Sequence, residues 1–353
     1  MPDLVKKIRV LIVEDSRVIR EFLEHIIGRD PRLEIAGSVE SAEEALRVLD
    51  RVAPDVISMD IRLPGMNGFE ATQRIMRDRP TPIVVVSASV EHEDLRITMN
   101  ALRAGALTVL EKPAGTTSND YEALAERLCT QLAIMSQVKV VRRHGLSRGV
   151  ARIGRHPIPP RGEYCALGIV SSTGGPNALV QILGALGADF PLPILLVQHI
   201  TSSFLEGFAS WLDSVCPFRV EIVRDRNVAA RGNVYIAAPD HHLWVERGCV
   251  RADSSDPVCA QRPSGTVLFR SMAKAYGGQA LGVLLTGMGE DGAEGLLQVR
   301  ESGGYTIAED ESTAVVYGMP AEAVRLGAAS ESLPLPAIGP RILELTFSRQ
   351  EVA

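Results

Sequence analysis

The run Ala166-Leu167-Gly168-Ile169-Val170-Ser171-Ser172-Thr173-Gly174-Gly175-Pro176 sets three hydroxyls between an apolar, β-branched stretch and a glycine pair followed by proline. The pattern predicts a strand over 166–170, a tight turn and a helix over 177–186. Such a turn lifts a hydroxyl out of the strand end, while the glycines and the helix N-terminal N–H groups face whatever binds there. It suits a nucleophile or a phosphate, although it lacks the lysine of a P-loop and the full glycine spacing of a dinucleotide fingerprint. Two other predicted strand ends carry polar groups, Val197-Gln198-His199 and Thr286-Gly287-Met288-Gly289-Glu290-Asp291-Gly292. If the three strands are parallel neighbours, their ends share one rim. A hydroxyl, an imidazole and a carboxylate there have the composition of a nucleophilic triad. Ser172 would attack, His199 would take its proton and return it to the leaving alcohol, and Asp291 would fix the imidazole tautomer. From the residues alone, Ser171 and Thr173 offer the same hydroxyl, His241 and His242 other imidazoles, and Glu290 and Asp310 other acids. Ser172 and Asp291 also read as helix caps, and His199 as a strand-end histidine bonded to backbone.

A second set lies in the first half, where Glu14 and Asp15 follow one predicted strand, Asp60 a second, Ser87 a third and Lys112 a fourth. Carboxylates gathered at one sheet edge repel one another unless a hard divalent cation sits between them, and an all-oxygen set suits Mg²⁺. A carboxylate beside such an ion can attack phosphorus and become an acyl phosphate. Asp60 is the candidate nucleophile, because the adjacent Glu14 and Asp15 suit metal holding.

Positioning these groups requires two α/β units. Over the first half, strands are predicted at 8–13, 33–38, 56–59, 83–87 and 107–110, with helices at 16–27, 42–50, 69–76, 95–104 and 121–135. This alternation implies a parallel sheet covered on both faces, with ligands at the carboxyl ends of the strands. The second half repeats the alternation. Strands are predicted at 194–197, 220–222, 234–237, 280–285 and 305–308, and helices at 204–215, 267–275, 293–300 and 321–326. A hairpin with arms 243–246 and 249–251 turns about Arg247-Gly248 and makes a small antiparallel addition. Between Val138 and Glu163 seven basic residues from Lys139 to Arg161 occur with no acid among them, accompanied by Gly145, Gly149, Gly154, Pro157, Pro159 and Pro160, which reads as an extended connector.

The 353 residues exceed the usual single-domain size, and 46% hydrophobic with 23% charged residues is an ordinary globular composition. A net charge of -6 gives no reason to expect a nucleic-acid partner, and no helix-turn-helix pattern stands out. The apolar runs are strand-sized, and no secretory segment fits residues 1–10, so a cytoplasmic location is expected. The five cysteines, Cys129, Cys165, Cys216, Cys249 and Cys259, show no metal-ligand or disulfide spacing.

The first roughly 130 residues resemble the receiver domains of two-component response regulators, through Val13-Glu14-Asp15-Ser16, the run from Asp55 to Pro64, Ser87-Ala88 and Glu111-Lys112-Pro113. The resemblance implies a flavodoxin-like fold, with Asp60 as phospho-acceptor, Glu14, Asp15 and Asp60 around Mg²⁺, Ser87 as the switching hydroxyl, Lys112 as charge partner, and a histidine kinase as phosphodonor. Val109 stands where the family often has an aromatic switch residue.

Residues from about 163 onward resemble the catalytic domain of the chemotaxis protein-glutamate methylesterases, the CheB family. The resemblance rests on Ser171 to Pro176, Val197-Gln198-His199, Ala238-Pro239-Asp240-His241-His242, Arg262-Pro263-Ser264, Leu284 to Gly292 and Gly318-Met319-Pro320. It implies a Rossmann-like hydrolase with Ser172, His199 and Asp291 as nucleophile, base and orienting acid, and no cofactor in that domain. Met288 is implied as the amide of the oxyanion hole, and Thr173 is expected as a helper at the helix start. Val170-Ser171 replaces the small Gly-Ala pair common ahead of the family's nucleophile. The implied organisation is a receiver over 1–135, a linker over 136–162 and a methylesterase domain over 163–353. The implied substrates are methyl-accepting chemoreceptors, hydrolysed at γ-glutamyl methyl esters with release of methanol and often deamidated at glutamine, with membrane contact only through the receptors and no DNA partner. The rival reading is a phosphorylation-controlled docking protein of a non-chemotactic pathway.

Overall fold

The computed structural model describes residues 6–87, 92–112, 118–138, 164–246 and 248–347. The chain divides into two compact units, Met1–Arg148 and Gly149–Ala353, each with its own core. The basic connector and Arg247 of the hairpin turn lie outside the described residues.

In the first unit, strands β1 (Ile8–Val13), β2 (Leu33–Val39), β3 (Val56–Asp60), β4 (Ile83–Ser87) and β5 (Thr108–Glu111) alternate with helices α1 (Arg17–Arg29), α2 (Ala42–Val52), α3 (Gly68–Asp78), α4 (His92–Ala104) and α5 (Ser118–Met135). The strands form one parallel sheet in the order β2-β1-β3-β4-β5. Val10 to Val13 and Ile83 to Val86 are buried without alternation, because helices cover both faces. Ser41 and Asn67 cap their helices by accepting from Glu44 N at 3.2 Å and Glu70 N at 2.9 Å, which fixes where α2 and α3 begin. All ten expected elements are present, with end shifts of a few residues.

The second unit carries β6 (Ala166–Ser171), α6 (Gly175–Leu186), β7 (Ile194–Gln198), α7 (Ser202–Val215), β8 (Arg219–Val223), β9 (Arg226–Val228), β10 (Asn233–Ala237), β11 (His242–Glu246), β12 (Cys249–Asp253) and α8 (Gly265–Tyr276). It continues through β13 (Ala280–Leu284), α9 (Ala293–Glu301), β14 (Tyr305–Glu309), α10 (Met319–Arg325), β15 (Glu331–Leu333) and α11 (Leu335–Thr346). Seven parallel strands run in the order β15-β14-β13-β6-β7-β10-β8, and β11-β12-β9 form a separate antiparallel sheet. The expected doubly wound unit with an antiparallel addition is therefore present.

Three elements have no counterpart in the sequence reading. Strands β9 and β15 have three residues each, too few and too polar to show a period, and pairing with neighbours defines them. Helix α11 contains Pro340 and begins beside Pro334 and Pro336, which reads as broken chain. Burial of Ile338, Ile342 and Leu345 and the packing of α11 on α6 override that local preference.

Candidate active site

Strands β13, β6 and β7 are adjacent and parallel, so their carboxyl ends share one rim. The register pairs Ser171 with Gln198, and His199 N donates to Ser171 O at 2.9 Å. Ser172 and His199 thus leave the ends of neighbouring strands side by side, at the usual strand spacing of about 4.8 Å.

The turn is specified by its glycines. Gly174 has φ +80° and serves as N-cap of α6, a left-handed conformation that a side chain would strain. A Cβ on Gly175 would run into the Gln198 side chain and lie 2.8 Å from Ser171 Oγ. Ser171 is fully buried and its hydroxyl donates to Gln198 Oε1 at 2.7 Å, while Gln198 Nε2 donates to Ser172 O at 2.8 Å. Ser171 is therefore committed to the interior, and Ser172 is the partly exposed serine of the pair. Ser172 N donates to Thr286 O at 3.0 Å, and Thr286 Oγ1 donates to Thr173 O at 2.8 Å, which ties the turn to the end of β13.

Asp291 is 3% exposed and accepts four hydrogen bonds. His199 Nε2–H donates to Oδ2 at 2.8 Å and Gly265 N to the same oxygen at 2.6 Å; Ser264 Oγ and Thr266 N donate to Oδ1 at 2.6 and 3.1 Å. Three of those donors form the N-terminus of α8, where the helix dipole favours a negative charge. Burial opposes ionisation, but the His199, Ser264 and Gly265 hydrogen bonds outweigh it and hold the carboxyl below its ordinary range. An ionised Asp291 fixes the proton on Nε2 and leaves Nδ1 as the basic nitrogen of the ring.

Three of the other candidates are engaged elsewhere. His241 Nδ1 bonds Pro239 O at 2.7 Å, His242 is buried against Ser264 and Asp256, and Asp310 Oδ1 accepts from Ser312 N at 3.0 Å. Met288, just past β13, is 42% exposed, and Thr173 is buried at the start of α6.

Sequence reasoning assigned no role to Ser264, Gly265, Thr266, Gln198, Thr286 or Glu309. The first three were signalled by Pro263-Ser264 opening an apolar helical run, since a helix N-terminus is a site for an anion. Glu309 at the end of β14 is buried and accepts from Thr286 N at 2.9 Å and Thr313 Oγ1 at 3.1 Å; burial raises its pKa.

In the first unit, Glu14, Asp15 and Asp60 converge at the ends of β1 and β3, with carboxylate oxygens within 4.8 Å of one another. Lys112 Nζ lies 2.8 Å from Glu14 Oε2 and 2.8 Å from Asp60 Oδ2. Burial pushes both acids up, and the lysine ammonium opposes the shift. Beyond the Lys112 ammonium neither oxygen has another donor within hydrogen-bond distance among the described residues, and an all-carboxylate set with spare lone pairs fits a hard cation such as Mg²⁺. Ser87 ends β4, its carbonyl accepting from Lys112 N at 2.8 Å, and Val109 is buried on β5. The structure thus brings Glu14, Asp15, Asp60 and Lys112 together and places Ser87 at the end of the adjoining strand.

The family pattern described as CheB methylesterase matches residues 167–342, and the response regulator receiver domain pattern matches 10–119. A protein-glutamate methylesterase/protein-glutamine glutaminase 2 from Paramagnetospirillum magneticum is 57% identical over 98% of this chain and 99% of its own length. This chain belongs to that family. A further member from Nitrosospira multiformis is 44% identical over 98% of both chains. The crystal structure of the Thermotoga maritima CheB methylesterase catalytic domain is similar to 52% of this chain, covering 98% of its own, with 38% identity and a TM-score of 0.49. Among the described residues no helix is long and apolar enough to cross a membrane.

Proposed function

We propose that this chain hydrolyses γ-glutamyl methyl esters, and the corresponding glutamine amides, on chemoreceptors through an acyl-enzyme on Ser172, under control of phosphorylation at Asp60. The observation that carries the reading is the His199 Nε2–Asp291 Oδ2 hydrogen bond of 2.8 Å at the strand end beside Ser172.

Ser172 Oγ attacks the γ-carbonyl carbon while His199 Nδ1 takes the hydroxyl proton. Asp291 stabilises the resulting imidazolium. The oxyanion that forms is met by N–H groups from the Thr173 turn and Met288. Collapse of the tetrahedral species breaks the carbon–oxygen bond, and the imidazolium proton goes to the departing methoxide, giving methanol. For a glutamine substrate the same proton leaves with ammonia. Water then repeats the sequence on the acyl-enzyme, leaving a glutamate carboxylate and free Ser172.

In the receiver, Glu14, Asp15 and Asp60 would hold Mg²⁺, which supplies positive charge for an incoming phosphoryl group. Asp60 is the acceptor, Lys112 neutralises its neighbours, and Ser87 offers a hydroxyl at the adjoining strand end. A histidine kinase is the phosphodonor. The domain limits we propose are 1–135 for the receiver, 136–162 for the linker and 163–353 for the methylesterase, in a cytoplasmic protein that meets membranes only through its receptors.

The test is methanol release from methylated receptor membranes. Wild type is expected to release methanol and Ser172→Ala none above background. Equal release by the two overturns the assignment, and release by neither favours a docking protein.

A further inference from the structure

We propose that His242 is a positioning residue of the triad, acting through Ser264 on Asp291. The inference rests on the hydrolase reading above. His242 opens β11 and is fully buried, and its hydrogen bonds run to Ser264 and Asp256. Its Nδ1 accepts from Ser264 N at 3.1 Å, and its Nε2 faces Asp256 O at 3.1 Å. A carbonyl only accepts, so Nε2 carries the proton and Nδ1 is the acceptor. Both bonds require this one neutral tautomer.

Ser264 is then held from two sides. Val267 N points at its Oγ at 3.4 Å, which makes the oxygen an acceptor there and leaves its single proton for Asp291 Oδ1 at 2.6 Å. Fixing the Ser264 backbone also aims the next two amides, Gly265 N and Thr266 N, at the same carboxylate. Three of the four donors to Asp291 therefore depend on one anchored residue, and His242 is the anchor. The antiparallel sheet β11-β12-β9 acquires a role from this, since it carries His242 beneath the N-terminus of α8. Other titratable groups around the chain of bonds are Asp253, close to His242, and Cys259, beside Thr266 and Asp291, with Glu290 and Glu294 beyond it.

Donors to Asp291 draw off part of its charge. When the Ser264 hydroxyl is lost or misaimed, the carboxylate stabilises the His199 imidazolium more strongly, and the imidazole protonates at higher pH. A purely structural role for His242 changes the amount of folded protein and leaves that titration where it was.

The test uses the full chain and two readouts: kcat and KM for methanol release across the imidazole range, and the NMR titration of the His199 ring, which needs no substrate. His242→Asn keeps an acceptor where Nδ1 stood, whereas His242→Gln reaches toward the Nε2 position and leaves Ser264 N without a partner. By freeing the Asp291 carboxylate to turn, His242→Gln takes the His199 ring out of line with Ser172 and is expected to lower kcat about tenfold with KM within about twofold, while the carboxylate charge no longer drawn off by Ser264 moves the His199 titration up by roughly half a unit or more. His242→Asn recovers most of both changes. Ser264→Ala reproduces the upward shift and Ser264→Thr does not. Equal losses in the two His242 variants with the titration unmoved overturn the proposal, as does an unmoved titration in Ser264→Ala. A wild type that releases no methanol refutes the hydrolase reading instead, and the ring titration still decides the positioning role.

Discussion

Replacing Asp291 with asparagine removes one charge and almost no volume, and the surrounding donors dictate how the amide sits. With its NH₂ at the Oδ2 position, the amide would face Gly265 N–H across 2.6 Å, donor against donor, and would force His199 into the other tautomer. With its NH₂ at the Oδ1 position, Ser264 can turn its hydroxyl and accept, His199 keeps its acceptor, and Thr266 N alone loses a partner that stood at 3.1 Å. The second arrangement prevails, at a stability cost of about 1–3 kcal/mol for the orphaned amide. The larger effect falls on the reaction. Opposite charges across a 2.8 Å hydrogen bond, at an effective dielectric constant of about 20, attract by about 4–6 kcal/mol, a contribution to the imidazolium that the amide cannot supply. Three to four powers of ten in kcat are therefore expected to disappear. KM should hardly move, because Asp291 is 3% exposed and does not reach substrate. The acid limb of the residual activity should shift to lower pH, opposite to the direction expected for Ser264→Ala. The assay is initial-rate methanol release against pH for Asp291→Asn and wild type. A loss below about tenfold, or one carried by KM, would refute the reasoning.

Further expectations separate the neighbouring groups. Ser171→Ala removes a buried hydroxyl bonded to Gln198 at 2.7 Å; it should cost about 1–3 kcal/mol in denaturant titration while kcat stays within about tenfold, unlike Ser172→Ala. Glu309 is raised above its ordinary carboxyl value by burial, so the folded state binds its proton more tightly and stability falls as pH rises from the ordinary value through the raised one. Glu309→Gln should remove that decline: its melting temperature should exceed that of wild type at neutral pH, with the gap closing toward acid, and a gap independent of pH would contradict the assignment. Asp60→Asn in the full chain should abolish the increase in methanol release produced by a small-molecule phosphodonor and leave the basal rate in place; persistent stimulation would point to another control.

Much of the fold was legible because buried parallel strands write themselves as unbroken apolar runs, as Ile83 to Val86 and Ala166 to Val170 do. What escaped was set by tertiary contact. Glu331-Ser332-Leu333 has no strand pattern until it pairs beside β14, and α11 tolerates Pro340 only because its apolar face is buried. Ser172, His199 and Asp291 stood out as candidates because polar groups at strand ends interrupt apolar sequence, and the structure brings those strand ends to one rim. The residues alone left Ser171 beside Ser172 and only the family resemblance favoured Ser172; the Gln198 side chain, 27 residues away, adds a physical reason by capturing the first hydroxyl. His242 was visible as a rival imidazole. Its bond to Ser264, and so its place behind Asp291, depends on a hairpin folding beneath a helix, which no local spacing encodes.

The most direct measurement is the location of the covalent intermediate. Wild-type chain mixed with a methylated receptor peptide, quenched in acid within the first turnover and digested, should yield an acyl adduct on the peptide carrying Ser171-Ser172-Thr173, with fragmentation assigning it to Ser172. An adduct on Ser171 or Thr173, or turnover that persists in Ser172→Ala with no adduct anywhere, would contradict the account.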